Sequence, residues 1–257
     1  MSSLNTEERV FWDDVWIRRV EEFALPDPEW DPANPQWPKW EKRVAKFLRD
    51  ADDYWFHVYR PRRGDTIVDI GAGRGEDTFA FAKAVGASGK VWAVEPHPVS
   101  LLALRKLCSH NRLNNVTVLP YACTDTAAEL QIETLPVWES NYVRPGVASP
   151  TSYPVKAMPF DEVAAREGIA DIDFLKMNIE GAELDALPSC REALSRTQSV
   201  CISAHDFRAN RGEGEQFRTL AFVTQFLTGC GFDLVTRDLD PRYYVPYHVH
   251  GVRKPGK

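Results

Sequence analysis

Residues 66–76 read Thr66-Ile67-Val68-Asp69-Ile70-Gly71-Ala72-Gly73-Arg74-Gly75-Glu76, and this stretch decides the fold. A β-branched run enters three glycines at alternate positions, and a helical pattern of Thr78, Phe79, Phe81, Ala82 and Val85 begins at once. Glycine permits backbone angles and a close ligand approach that a β-carbon blocks. A helix N-terminus offers free N–H donors to a negative or polar ligand. The next run, Lys90-Val-Trp-Ala-Val-Glu95-Pro96-His97, is a second strand ending in a carboxylate. An acid there, beside the carboxyl end of the first strand, is placed to accept both hydroxyl protons of a ribose. A tight strand-to-helix turn without a ligand is the plainer alternative.

Two cofactor classes use such a loop. Nicotinamide dinucleotides prefer G-x-G-x-x-G, in which the loop meets a pyrophosphate. Here the third glycine comes one residue early and Glu76 stands in its place. Asp69 would repel a pyrophosphate but suits the cationic amino-acid end of S-adenosylmethionine. The pattern therefore favours the sulfonium cofactor over a dinucleotide. The expected cofactor contacts are Asp69, Gly71, Ala72, Gly73, Gly75, Glu76 and Thr78 from the loop and helix start, and Glu95, Pro96 and His97 after the second strand. His97 reads equally well as an adenine-stacking residue or a turn histidine. Ala122 and Cys123 follow the third strand, where a doubly wound sheet places the adenine.

Outward from the loop, short β-branched runs alternate with helical stretches, the mark of βαβ units and a mostly parallel sheet. Strands are expected at 66–70, 91–95, 116–119, 172–177, 199–203, 232–236 and 244–252, with helices at about 76–85, 98–111, 160–167, 182–195 and 213–229. Residues 126–157, with Pro136, Pro145, Gly146, Pro150 and Pro154, read as strands and loops. The expected fold is thus a Rossmann-like α/β domain over residues 61–257, with helices on both sheet faces.

Residues 1–60 are different. They hold six of the eight tryptophans. Val10, Trp12, Val15, Trp16, Val20 and Phe23 approximate one apolar helical face, opened by a cap at Asn5 with Glu8 three residues on. Proline-rich chain follows, and a second helix is expected from Pro38 with Trp40, Val44, Phe47 and Leu48 on one side. This helical extension is expected to be core glue, an active-site lid or a homodimer contact.

The whole chain has 257 residues and a net charge of −6 from 31 basic and 37 acidic side chains. That balance gives no footprint for nucleic acid or an anionic membrane. Five scattered cysteines without a C-x-x-C pair argue against a disulfide framework and for a reducing cytoplasm. No signal peptide or spanning run is apparent, so a soluble cytoplasmic protein is expected.

Ile172-Asp-Phe-Leu-Lys176-Met-Asn178-Ile-Glu180-Gly181-Ala182-Glu183 is a buried strand ending in a polar cluster and a glycine turn. Charged groups at a carboxyl strand end, beside the cofactor crevice, are candidates for chemistry. This segment, together with D-x-G-x-G-x-G at 69–75, "AVEPHP" at 93–98 and "NNVTVLPYA" at 114–122, resembles the FkbM family of methyltransferases. The resemblance runs over roughly residues 64–206. It implies a class I methyltransferase sheet of seven strands, the last antiparallel, and S-adenosylmethionine-dependent methylation of hydroxyls on sugars and natural-product scaffolds. The family usually has aspartate where this chain has Asn178; a neutral amide orients a group without acting as a base, and Asn178 is expected among the cofactor contacts.

Methyl transfer is an in-line displacement at a carbon activated by positive sulfur, so positioning supplies most of the help. A hydroxyl acceptor also loses a proton, which a general base assists. His205, after the fifth strand, is the first candidate for that base because its ordinary pKa lies near neutrality. Asp206 is expected to orient it or contact the acceptor, and Glu180 to compete for the base role. A divalent ion held by these groups and Asn178 is an alternative, although no metal is expected. His248 and His250 share a strand face, more simply a polar face than a metal pair. The leading reading is an O-methyltransferase acting on a small hydroxylated molecule. An N-methyltransferase, a dinucleotide oxidoreductase and a non-catalytic cofactor-binding module are the alternatives.

Overall fold

The computed structural model describes residues 8–20, 22–30, 32–33, 40–133, 143–144 and 150–254. The expected cap at Asn5, the segment with Pro35, Trp37 and Pro38, the side chains of Trp40 and Val44, and Pro136, Pro145 and Gly146 lie outside them.

The chain opens with β1 (Glu8–Asp13), β2 (Val15–Val20) and β3 (Phe23–Asp27), a small antiparallel sheet in that order. This corrects the helix expected over residues 10–23. Val10, Phe11, Trp12, Val15, Trp16 and Ile17 are β-branched or aromatic residues that suit a pleated surface. Asp14 makes the tight turn at φ 56°, a left-handed angle that Asp tolerates better than most residues. A following helix holds the sheet in place. Lys106 Nζ reaches Asp13 at 2.7 Å and Asp14 at 2.8 Å. Asn111 pairs with the Ala24 backbone through both its amide groups, at 2.9 and 2.7 Å, as a neighbouring strand would.

Next come α1 (Trp40–Asp50), which meets the second expected helix, and a π-helical turn over Ala51–Trp55. Then β4 (Thr66–Ile70), α2 (Glu76–Val85), β5 (Lys90–Val94), α3 (Pro98–His110) and β6 (Val116–Leu119) form two successive βαβ units. An insertion contributes β7 (Ala122–Cys123), β8 (Ala128–Glu133), β9 (Val143–Arg144) and β10 (Ser152–Met158), a separate sheet of order β7-β10-β8-β9. Pro154 is tolerated in β10 because the two-residue β7 leaves that stretch an open edge.

The chain continues with α4 (Phe160–Glu167), β11 (Ile172–Met177), α5 (Glu183–Ala186), α6 (Arg191–Ser195), β12 (Thr197–Ser203), α7 (Asp206–Asn210), α8 (Leu220–Gly229), β13 (Phe232–Val235) and β14 (His248–Arg253). The helix expected over 182–195 is interrupted by a 3-10 turn at Leu187–Cys190, where Pro188 removes a backbone donor. The one expected over 213–229 starts later, at Leu220, after a short 3-10 turn.

The main sheet has seven strands in the order β13-β14-β12-β11-β4-β5-β6. Pairings from β12 across to β6 are parallel, and β14 runs antiparallel to both neighbours. Alternation along the strands divides the core. Val68, Ile70, Leu175, Met177, Val200 and Ile202 face α4, α6 and α8. Ile67, Val91, Phe174 and Cys201 face α2 and the Trp55 turn. Phe47, Trp55 and Phe56 belong to this second core, so the end of the N-terminal extension is part of the main domain. Among the described residues no helix is long and apolar enough to cross a membrane.

Candidate active site

The glycine loop sits on the carboxyl edge between β4 and β5. Gly71 and Ala72 both donate to the Val94 carbonyl, at 3.0 and 3.1 Å. A Cβ on Gly71 would lie 2.0 Å from the Asn178 carbonyl, so only glycine lets this loop pass the end of β11. Gly75 precedes α2 at φ 97°, and a Cβ there would meet Leu104 at 2.6 Å and Leu107 at 2.7 Å. One glycine therefore serves the β11 contact and the other the α2–α3 packing.

Glu95 stands where the sequence placed it, one residue beyond β5. Its Oε2 accepts from the Gly73 N–H and its Oε1 from the His97 N–H, each at 2.8 Å. Burial pushes its carboxyl up to about 7 despite those two amides. Ala72, Thr78, Ala122 and Cys123 are buried around the same edge, and Glu76 begins α2. Pro96 lies between Glu95 and His97 and is half-buried. Burial, helped by Arg74, pulls His97 down to about 4, so its ring is neutral. Tyr153 from the inserted sheet meets that ring edge-on, centroids 5.5 Å apart.

Asp69 has a different place from the expected one. It is fully buried and faces inward, accepting from the Thr78 hydroxyl at 2.6 Å and from Lys176 Nζ at 2.9 Å. It supports the loop from beneath through Thr78 and Lys176. Lys176 also donates to the Gly71 carbonyl at 2.8 Å and lies 3.7 Å from Asp77. Burial opposes its charge, but Asp69 and Asp77 outweigh that and hold the ammonium above the ordinary lysine range. Sequence reasoning missed Lys176. The available signal was a lysine in phase with Phe174 inside an otherwise apolar run, Phe174-Leu-Lys-Met177, of β11.

The glycine loop is also tied to the N-terminal sheet. Arg74, its side chain 7% exposed, meets Glu29 at 2.6 Å and Asp27 at 3.6 Å.

Beyond β11 the chain bends through Glu180 at φ 56° and Gly181 at φ 99°. A Cβ on Gly181 would meet Phe217 at 2.8 Å. The bend brings Glu180 to His205, whose Nε2 lies 3.2 Å from Glu180 Oε1, while Nδ1 lies 2.9 Å from Glu183 Oε1. Arg208 donates to Glu180 Oε2 and to Glu213, each at 2.7 Å, with its guanidinium 3.9 Å from the Phe217 ring centroid.

This geometry corrects the base assignment for His205. The ring is 1% exposed. Burial alone would favour the neutral form, yet Glu183 and Glu180 outweigh it and push the imidazole up to about 10. His205 is a cation at neutral pH with no lone pair to offer. The same cations act on Glu180: burial would raise its carboxyl, but His205 and Arg208 hold it below the usual glutamate range. Asp206 is corrected too. Its Oδ2 accepts from the Thr219 and Leu220 N–H groups, both at 2.8 Å, so it caps the start of α8. Glu183 and Arg208 complete the cluster, and neither was singled out from sequence.

Asn178 follows β11, its N–H bonded to the Ile70 carbonyl at 3.0 Å and its buried Oδ1 without a hydrogen-bond partner among the described residues. No group of three or more His, Cys, Asp or Glu suited to hold a metal ion occurs among the described residues.

A family model described as the Methyltransferase FkbM domain matches residues 69–234, well over half of the chain. The fold is similar to the crystal structure of methyltransferase FkbM from Methylobacillus flagellatus KT, with a TM-score of 0.51 and 19% identity over 81% of this chain and 52% of that one. The chain thus spans about half the length of that protein. It is also similar to a putative rRNA-methylase from Clostridium thermocellum, with a TM-score of 0.52 and 14% identity over 82% of this chain and 96% of that one. At such identities these likenesses show the fold alone. A search of the curated proteins found no match. The match runs from Asp69 beneath the glycine loop to Leu234 in β13, and the chain belongs to the FkbM family of S-adenosylmethionine-dependent methyltransferases.

Proposed function

We propose that the chain transfers a methyl group to a hydroxyl oxygen of a small molecule, a sugar or natural-product scaffold, and that Glu180 receives the hydroxyl proton. The residues of the crevice fit the donor. Gly71 and Gly75 let the loop pack closely against the end of β11 and against α3, and Glu95 beside the loop offers a carboxylate at the ribose position. When bound, S-adenosylmethionine supplies an electrophilic methyl on a positive sulfur.

The chain's own residues hold the acceptor and manage its proton. Glu180, on its left-handed bend at the carboxyl edge, is 16% exposed at its side chain, whereas His205 behind it is sealed. As the C–O bond forms and the S–C bond breaks, the acceptor oxygen becomes an oxonium centre. Such a centre is far more acidic than a carboxylic acid, so a carboxylate held below its usual pKa range is base enough. His205 and Arg208 keep Glu180 ionised and oriented for that late transfer. The observation carrying this reading is the Glu180–His205–Glu183 alignment, a buried charge network just beyond the carboxyl end of β11.

We also read the segment up to residue 60 as a cover for the crevice. Its π-helical turn is fastened to the loop after β13, with Arg237 donating to the Asp53 carbonyl at 2.7 Å and Arg242 ion-paired to the Asp53 carboxylate.

The test is turnover of Glu180→Gln with saturating donor. General-base loss is worth about 10²–10⁴ in rate, and donor affinity should stay within about twofold of the parent. Full turnover in this variant would remove the base role and point to an amine acceptor.

A further inference from the structure

On the sheet face beneath Trp55, the carboxyl edge carries three adjacent polar side chains that the charge network does not use. Asn178, one residue past β11 and two beyond Lys176, continues the ladder through its N–H bond to Ile70 and so falls on the same face as Lys176. Ser203 ends β12, and its register partner across the ladder is His248, the first residue of β14. Ser203 and His248 are both buried, His248 to 3% exposure. His248 stacks on Trp55, with centroids 4.9 Å apart and planes 15° apart, and Trp55 also covers Lys176 at 5.1 Å. Tyr54 and Tyr244, their hydroxyls 2.7 Å apart, flank the His248 ring, Tyr54 edge-on and Tyr244 tilted.

Two atoms in this row are orphaned. His248 Nδ1 and Asn178 Oδ1 are buried without a hydrogen-bond partner among the described residues. Leaving a buried polar group unpaired is costly, and its retention calls for a reason. Strands lie about 4.8 Å apart, so the row presents amide, hydroxyl and imidazole in a line across three strands.

We infer that Asn178, Ser203 and His248 form the hydrogen-bonding floor of the acceptor site, and that it takes an uncharged molecule with more than one hydroxyl. The inference rests on the hydroxyl-methylation reading and adds to it where the acceptor lies and which residues select it. Among the described residues, the neighbouring charges are matched within the protein: Lys176 by Asp69 and Asp77, His205 by Glu180 and Glu183, Arg237 by Asp53 and Asp240. A charged acceptor would find no counter-ion here, whereas donors and acceptors without charge would satisfy the orphans. Burial, with the nearby cations, pulls His248 down to about 3, so its ring enters the site neutral.

The test uses the full chain saturated with S-adenosylhomocysteine and three ring-shaped probes: uncharged myo-inositol, anionic glucuronate and cationic glucosamine. Saturation-transfer NMR reads their binding. Inositol should bind best, and Ser203→Ala and His248→Leu should each weaken it by about tenfold, while His248→Gln, which keeps a neutral hydrogen-bonding group, loses less. His248→Leu should also raise the melting temperature, because it removes an unpaired polar group from the core. Equal inositol binding in the variants, stronger binding of a charged probe, or no binding by any probe would overturn the inference. Its failure is separable from that of the hydroxyl reading, which falls if Glu180→Gln keeps full turnover.

Discussion

Lys176 Nζ lies 2.9 Å from Asp69 Oδ1, both side chains are sealed from solvent, and the pair sits directly under the glycine loop. The loop's shape therefore depends on a charge pair contributed by two neighbouring strands. Removing one partner strands a buried charge, which typically costs about 3–5 kcal/mol. Lys176→Met should lower stability by that order and reduce donor affinity. Denaturant unfolding measures the first and calorimetry the second. A loss under about 1 kcal/mol would show that the pair is not needed.

His205 gives the fold a particular pH response. Its pKa is near the ordinary 6.5 when unfolded and about 10 when folded. The group favours folding fully below pH 6.5, and that contribution fades as the pH rises through 10. His205→Gln should therefore flatten the stability profile across this interval. An unchanged slope in urea midpoints from pH 6.5 to 10 would contradict the imidazolium assignment.

Glu95 links pH to cofactor affinity in the other direction. Its carboxyl is pushed up to about 7 in the free protein, and ribose hydroxyls donate to the ionised form. Affinity for S-adenosylhomocysteine should be flat above pH 7 and fall by about tenfold per unit below it. Calorimetry at pH 5.5, 6.5 and 8 reads this directly, and a flat profile would place the ribose elsewhere.

Arg74 joins the glycine loop to Asp27 in β3 and to Glu29 in the turn after it. The Asp27→Asn, Glu29→Gln double variant should weaken S-adenosylhomocysteine binding modestly, by about 1 kcal/mol, since Glu29 is half exposed. Deletion of residues 1–55 is a different experiment. It removes Phe47 and Trp55 from the core and should abolish folding, whereas a cut at residue 33 spares them. Far-UV circular dichroism of the two truncations distinguishes these outcomes.

The parts of the fold legible in the sequence are those written locally. Thr66–Ile70 and Glu76–Val85 carry strand and helix periods on either side of glycines, and both elements occupy the expected residues. The N-terminal sheet was illegible because Val10, Trp12, Val15 and Trp16 fit a helical face as well as a hairpin. Docking on α3 through Asp13, Asp14 and Asn111 decides between them, and that contact spans about ninety residues of chain. In the site, Glu95 and the loop glycines could be placed from motif and strand order. The charge state of His205 could not, because it depends on Glu183, which comes into range only through the bend at Glu180 and Gly181. Asp206 looked chemical by position but serves the backbone of α8.

The most direct test of the account is calorimetric titration of the protein with S-adenosylmethionine and S-adenosylhomocysteine, repeated on Glu95→Ala. Binding of both ligands to the parent, weakened by about 10- to 100-fold in the variant as two charge-assisted hydrogen bonds are lost, is the expected result. No binding to the parent, or equal binding to the variant, would contradict the placement of the donor over Gly71–Gly75 and Glu95.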